Sequence, residues 1–102
     1  MITPPNHSKF KALPLAKDID TEIIDCALAF IEPGGGGPSP DHTHPHDHLF
    51  TVVSGEVQVH INGQRHLITS GCSLRVPGSK LHSVWNCGSQ PAKVIGTSLR
   101  PQ

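Results

Sequence analysis

Four histidines fall within seven consecutive residues, His42-Thr43-His44-Pro45-His46-Asp47-His48, and a fifth, His82, stands further along the chain. Neutral imidazole is the commonest protein ligand for borderline divalent metals. Such a cluster offers metal-centred chemistry, in which a bound ion polarises a water or substrate oxygen. Side chains at i and i+2 of a strand point to the same face, so His42 and His44 present two imidazoles together. His48 shares their parity but lies beyond Pro45, which breaks a strand, so it belongs to the next strand folded back beside the first. These three could form a facial set around one ion, with His82 supplying a fourth ligand from across a barrel. His46 has the same parity but sits between Pro45 and the return strand, where a solvent-facing loop residue is expected. His7, His60 and His66 belong to no constellation and read as surface residues. A bland alternative for the cluster is a histidine-rich metal-buffering tract. The β-rich run Leu49-Phe50-Thr51-Val52-Val53 directly after it argues for a structured site instead.

The elements that would carry these residues are strands. No window shows a helical period, and strand-length apolar segments recur between turn residues. Residues 1–21 read as an N-terminal arm, irregular in its first twenty residues, and residues 22–102 as one barrel domain. Strands are expected over 22–31, 41–44, 48–53, 57–61, 64–68, 72–76, 81–86 and 92–99. The tract Pro33-Gly-Gly-Gly-Gly-Pro38 reads as a loop, because four glycines favour no regular element. Val57, Val59 and Ile61 alternate with Glu56, Gln58 and His60 and run into Asn62-Gly63, a strong two-residue hairpin signal. Short strands at near-regular spacing with Gly/Pro turns indicate an all-β fold with antiparallel strands, a sandwich, jelly roll or barrel.

With 102 residues the chain has room for one domain and a modest core. Eight Lys and Arg balance eight Asp and Glu, which argues against nucleic acid and against a polybasic membrane patch as partners. No apolar run approaches the roughly 18 residues of a membrane span. The N-terminus has prolines where a signal peptide would have its apolar block, so a cytoplasmic location is expected. Cys26, Cys72 and Cys87 show no CxxC spacing and read as packed thiols rather than a disulfide frame.

The two glycine-framed histidine stretches resemble the two motifs of the cupin superfamily. The first motif, G-x5-H-x-H-x3-E-x6-G, is matched by Gly36, His42, His44, His48 and Gly55, with histidine where the family has glutamate. The second, G-x5-P-x-G-x2-H-x3-N, is matched by Gly71, Pro77, His82 and Asn86, with Ser79 at the second glycine and Gly78 one place earlier. The resemblance covers residues from about 23 to 99. It implies a single-domain cupin jelly-roll barrel (a double-stranded β-helix) holding one divalent transition metal ion on His42, His44, His48 and His82. Fe, Mn, Zn, Ni and Cu all suit such a ligand set. Four neutral imidazoles leave the full +2 charge on the ion, so an anionic oxygen in an open position is favoured. Because the ligands bind in their neutral form, metal release is expected below about pH 5.5–6, from the ordinary imidazole pKa.

The ion's surroundings are expected to be apolar, with Phe50, Val52, Val84 and Val94 beside it, which suits a small-molecule substrate. Asp41 and Asp47 flank the ligands, but their parity points them away. Arg75 and Lys80 read as solvated rather than as anchors for a substrate carboxylate. Asn86 reads as a backbone-fixing residue, and Trp85 as facing away from the cavity. The resemblance implies a metalloenzyme, dioxygenase-like on an enolic, phenolic or similar metabolite. The alternatives are Zn- or Ni-dependent cyclisation or isomerisation, as in polyketide-cyclase cupins, and non-catalytic binding of a small molecule. A homodimer is expected, with the arm and the first strand crossing to a partner's sheet and protecting its edge.

Overall fold

The turn residues and the two-residue alternation fold the described residues into eight strands: β1 Ser8–Ala16, β2 Ile23–His42, β3 Asp47–Ser54, β4 Glu56–Ile61, β5 Gln64–Thr69, β6 Ser73–Val76, β7 His82–Trp85 and β8 Ala92–Leu99. The computed structural model describes residues 1–17 and 21–101; residues 18–20, part of the expected arm, lie outside the described residues, as does residue 102. Every strand pairing is antiparallel, in the order β5-β4-β7-β2-β8-β3-β6, with β1 added to β2. The result is a nearly closed all-β barrel, as the jelly-roll expectation requires.

Strand β2 ties the two halves of the barrel together. Its first half pairs with β8, Ala29 opposite Val94 and Ile31 opposite Ala92. Its second half pairs with β7, Gly36 opposite Trp85 and His42 opposite His82. The glycine tract, expected to be a loop, therefore lies inside a strand. Its glycines are needed for close approach: a Cβ on Gly36 would run into the Val84 carbonyl and Trp85, and one on Gly37 would meet His7. The first segment also differs from the expected irregular arm. Ser8–Ala16 forms β1 and pairs with β2 of the same chain, Phe10 opposite Ile31 and Leu13 opposite Leu28. Before it, Ile2 and Ala12 exchange backbone hydrogen bonds at 3.0 and 2.7 Å.

The core follows from the alternation. Val57 and Val59 are fully buried, while Glu56 between the turn and the core is exposed. They join Ile31, Val52, Val76 and Val94 in one apolar cluster, with Phe10 and Phe50 packed against it. Burying an aliphatic side chain of this size contributes about 1.5–3 kcal/mol. The hairpin after β4 has positive φ at both Asn62 and Gly63, 49° and 80°, as a tight two-residue turn of matching twist requires. Cys72 and Cys87 are exposed rather than packed, and Cys26 is half-buried.

Candidate metal centre

Four segments of chain converge at one end of a cavity of about 360 Å³. The end of β2 brings His42, the turn after it brings His44 and His46, β3 brings His48, and β7 brings His82. Cross-strand pairing places His42 directly opposite His82. The candidate ligand nitrogens of His42, His44 and His82 lie within 4.8 Å of one another, and so do those of His44, His46 and His48. The structure thus gathers all four histidines singled out in the sequence, but as two overlapping triads sharing His44. His46, expected in solvent, is one of them: its ring stacks on His44 with centroids 4.1 Å apart and planes 13° apart.

The ring orientations are fixed by the backbone. His44 Nδ1 is 2.8 Å from the His46 carbonyl oxygen, and His82 Nδ1 is 2.8 Å from the Lys80 carbonyl oxygen. A carbonyl only accepts, so each Nδ1 carries the proton, and in the neutral rings both Nε2 atoms are left with lone pairs. Those two Nε2 atoms stand 3.1 Å apart. Two lone pairs facing each other repel unless a cation lies between them. The separation suits neighbouring donors on one ion at the usual imidazole bond length of about 2.0–2.1 Å. His48 Nδ1 is buried and has no hydrogen-bond partner among the described residues. A buried orphan nitrogen beside a pair of opposed lone pairs fits a borderline divalent cation. Backbone carbonyls holding the far nitrogen of a ligating imidazole are the usual outer support of such a site.

The electrostatics favour the neutral form of His42, His46, His48 and His82. Burial, reinforced by the imidazoles of His82, His44 and His7, pushes the His42 pKa down to about 4 against a weaker opposing pull from Asp41. Burial and then His44, His46, His82 and His42 push His48 down to about 3. His82 is lowered chiefly by its burial, although its bond to the Lys80 carbonyl works the other way. His46 is lowered by burial and by His44, with Asp25 and Asp47 opposing.

Two further residues lock the ligand turn. Asp47, on the first residue of β3, receives Arg75 Nη2 and Nε on Oδ2 at 3.0 and 3.2 Å, and the Gly78 N–H on Oδ1 at 3.0 Å. Arg75 is therefore an anchor for Asp47, although a third of its side chain stays exposed. Gly78 lies flush against the backbone of the ligand turn, because a Cβ there would overlap the His46 carbonyl. Its own carbonyl accepts the His44 N–H at 2.9 Å. The glycine displaced by one place from the family pattern thus still fills a close-approach role. Asn86 fixes backbone as expected, donating to the carbonyls of Ile31 and Gln90 at 2.9 and 2.8 Å and accepting from the Gly88 N–H at 2.9 Å.

Of the expected apolar lining, Phe50, Val84 and Val94 line the cavity. Val52 packs in the barrel core instead, two residues further from the histidines along β3. Among the lining residues that the sequence did not place at the site are His7, which reads there as a surface residue, Phe10 and Asp25. The first two are carried in by the arm, whose strand pairing no local signal announced.

A model of the cupin domain matches residues 27–97, and this chain belongs to the cupin superfamily. No curated protein matched the chain. Among solved structures, the cupin domain of an XRE-family transcriptional regulator from Enterobacter cloacae is 23% identical, with a TM-score of 0.80, covering 93% of this chain and 100% of that one. A predicted oxalate decarboxylase from Thermotoga maritima is 18% identical, with a TM-score of 0.78, covering 89% and 80% of the two chains. The polyketide cyclase RemF from Streptomyces resistomycificus is 15% identical, with a TM-score of 0.78, covering 96% and 70%. At these identities the likeness establishes the fold.

Proposed function

We propose that this cupin is a metalloenzyme that holds one divalent transition ion (Fe, Mn, Zn, Ni or Cu) on His42, His44, His48 and His82. It acts on a small enolic, phenolic or similar metabolite in a dioxygenase-like reaction. The observation that carries this reading is the opposed pair His44 Nε2 and His82 Nε2, 3.1 Å apart at the end of an apolar cavity. When bound, the ion supplies Lewis-acid polarisation of an oxygen and, as Fe or Mn, electron exchange with dioxygen. Phe50, Val84, Val94 and Ala29 give the substrate an apolar wall and keep water from it. The cavity volume fits a single-ring or short-chain molecule. Among the described lining residues no Lys or Arg supplies a fixed positive charge, so an anionic oxygen is drawn to the histidine end. Zinc- or nickel-dependent cyclisation would use the same residues and differs only in the ion, which is why the metal is the first thing to measure.

Elemental analysis of protein purified without a metal column, followed by oxygen uptake on enolic and phenolic compounds, tests the proposal. About one Fe or Mn per chain with oxygen uptake supports it. One Zn or Ni with ring closure or isomerisation moves the reaction to the cyclase class. No metal, even after reconstitution, leaves a barrel that only binds a small molecule.

We also read the chain as a homodimer. In the single chain β1 pairs with its own β2, and the surface assigned here to the partner is the outer sheet face, where Leu13, Leu15 and Val53 are exposed. Light scattering that gives a monomer at high concentration overturns this.

A further inference from the structure

The N-terminal arm delivers a sixth histidine to the cavity. Pro4-Pro5-Asn6-His7 forms a turn closed by the His7 N–H donating to the Pro4 carbonyl at 3.2 Å. Pro5 presets the second position of the turn, and Asn6, with φ of 62°, takes the left-handed third position. The Asn6 carbonyl accepts the Ser39 N–H at 2.9 Å, which ties the turn to β2. The His7 ring then folds back, and its Nδ1–H donates to the Pro5 carbonyl at 2.8 Å. One side of the ring meets Phe10 edge to face at 4.7 Å between centroids. Another lies over Gly37, where a Cβ would come within 2.7 Å of His7 Cγ. The ring is thus held by its own turn, by an aromatic neighbour and by the glycine strip, and it lines the same cavity as His42 and His44.

The tautomer decides what this ring can do. With the proton on Nδ1, Nε2 keeps a lone pair and has no hydrogen bond among the described residues. A ligand hydroxyl finds an acceptor there, whereas a ligand carboxylate finds neither a donor at His7 nor a cationic side chain among the described lining residues, and meets Asp25.

We propose that His7 is a substrate-positioning residue, whose Nε2 accepts a hydrogen bond from a hydroxyl of a ring-sized ligand that places another oxygen at the histidine cluster. This rests on the metal-centre reading above. The acceptor gives the cavity two points of attachment, which fix the ligand's rotation as well as its depth. The substrate class narrows accordingly to compounds with at least two oxygens, one of them a hydroxyl.

The test uses the zinc-loaded full chain, titrated separately with 4-nitrocatechol, followed by its absorbance, and with azide, which can occupy a metal but has no hydroxyl. His7→Phe keeps the ring against Phe10 and removes the acceptor, while His7→Gln restores an acceptor oxygen. His7→Phe is expected to weaken 4-nitrocatechol binding about five- to tenfold, the range of one hydrogen bond. Azide affinity and zinc content should stay unchanged, and His7→Gln should recover part of the loss. Equal 4-nitrocatechol affinity in wild type and His7→Phe overturns the proposal. So does a parallel loss of azide affinity or zinc, which would give His7 a merely structural role. Wild type that binds azide but not 4-nitrocatechol overturns the ligand class while leaving the metal centre standing. Wild type that takes up no zinc removes both.

Discussion

His44 Nε2 and His82 Nε2 face each other at 3.1 Å, and each ring's proton is committed on the other side to a backbone carbonyl. Neither nitrogen can donate to the other, so the contact is unfavourable until a cation is shared. Removing either partner should abolish metal retention. His44→Ala or His82→Ala is expected to hold less than about a tenth of the wild-type metal, since one of the few donors is lost outright. His48→Ala, which removes a buried orphan nitrogen, should weaken retention as well. Elemental analysis after dialysis against a chelator measures all three, and unchanged metal in His82→Ala would sink the site assignment.

The lowered pKa values of His42 and His48, about 4 and about 3, have a sign that can be checked. In the unfolded chain these imidazoles titrate near their ordinary value of about 6.5. Below that value the unfolded state takes up protons that the folded state refuses. The stability of the metal-free chain should therefore be fully present above about pH 6.5 and be lost progressively as the pH falls towards 4 and then 3. The same lowering weakens proton competition for the metal. Release should therefore occur at a lower pH than the roughly pH 5.5–6 expected from ordinary imidazoles. Urea midpoints of metal-free protein at pH 7.5, 6 and 4.5 should fall in that order. A midpoint that stays flat or rises over this range contradicts the burial of neutral rings.

Much of this was legible in the chain because it depends on local spacing. The close spacing of His42 and His44 and the Asn62-Gly63 turn each act within a few residues, and the strand boundaries from β3 to β8 follow closely; the strand expected over 41–44 instead ends at His42, so the turn and not strand parity places His44. What was not legible depends on contacts between distant segments. The four glycines look like a loop in isolation. They are a strand because Trp85 and Val84 press on one side and the arm with His7 on the other. The arm reads as irregular because its prolines and lysines carry no alternation, and only pairing with β2 makes β1 a strand. His46 reads as a solvent residue because its stacking on His44 depends on how the turn closes. Val52 has the right parity for the cavity, but parity fixes a face and not a depth, and its depth is that of the core.

Asp47 holds the ligand turn from outside the cavity. Its carboxylate is nearly buried and bridges the Arg75 guanidinium and the Gly78 N–H. Asp47→Ala leaves that N–H unsatisfied and frees both the ligand turn and the loop before β7. The expected cost is about 1–3 kcal/mol of stability, because Arg75 is accessible enough to regain water. Metal affinity should drop further than stability does, since Asp47 lies between His46 and His48. Asp47→Asn keeps an acceptor for the Gly78 N–H and should be the milder change. Paired denaturation and metal titrations separate the two effects, and an Asp47→Ala protein with wild-type metal affinity would show that the turn holds its shape without this anchor.

The glycine strip has a backbone that side chains would strain. Gly36 sits at φ of 151° and Gly37 at 147°, conformations that L side chains rarely adopt. A Cβ on Gly36 would also press on the Val84 carbonyl and on the backbone and ring of Trp85. Gly36→Ala combines strain with overpacking between β2 and β7, the two strands that bring His42 opposite His82. It is expected to cost about 2–4 kcal/mol. Gly63→Ala is the control, because Gly63 has φ of 80° but open space around its missing Cβ; only the backbone term applies there, about 1 kcal/mol. Thermal melts of the two variants compare strain alone with strain plus contact. If both lose the same amount, the contact of Gly36 with β7 is not what requires the glycine, and the close packing of the two strands would have to rest on the remaining glycines.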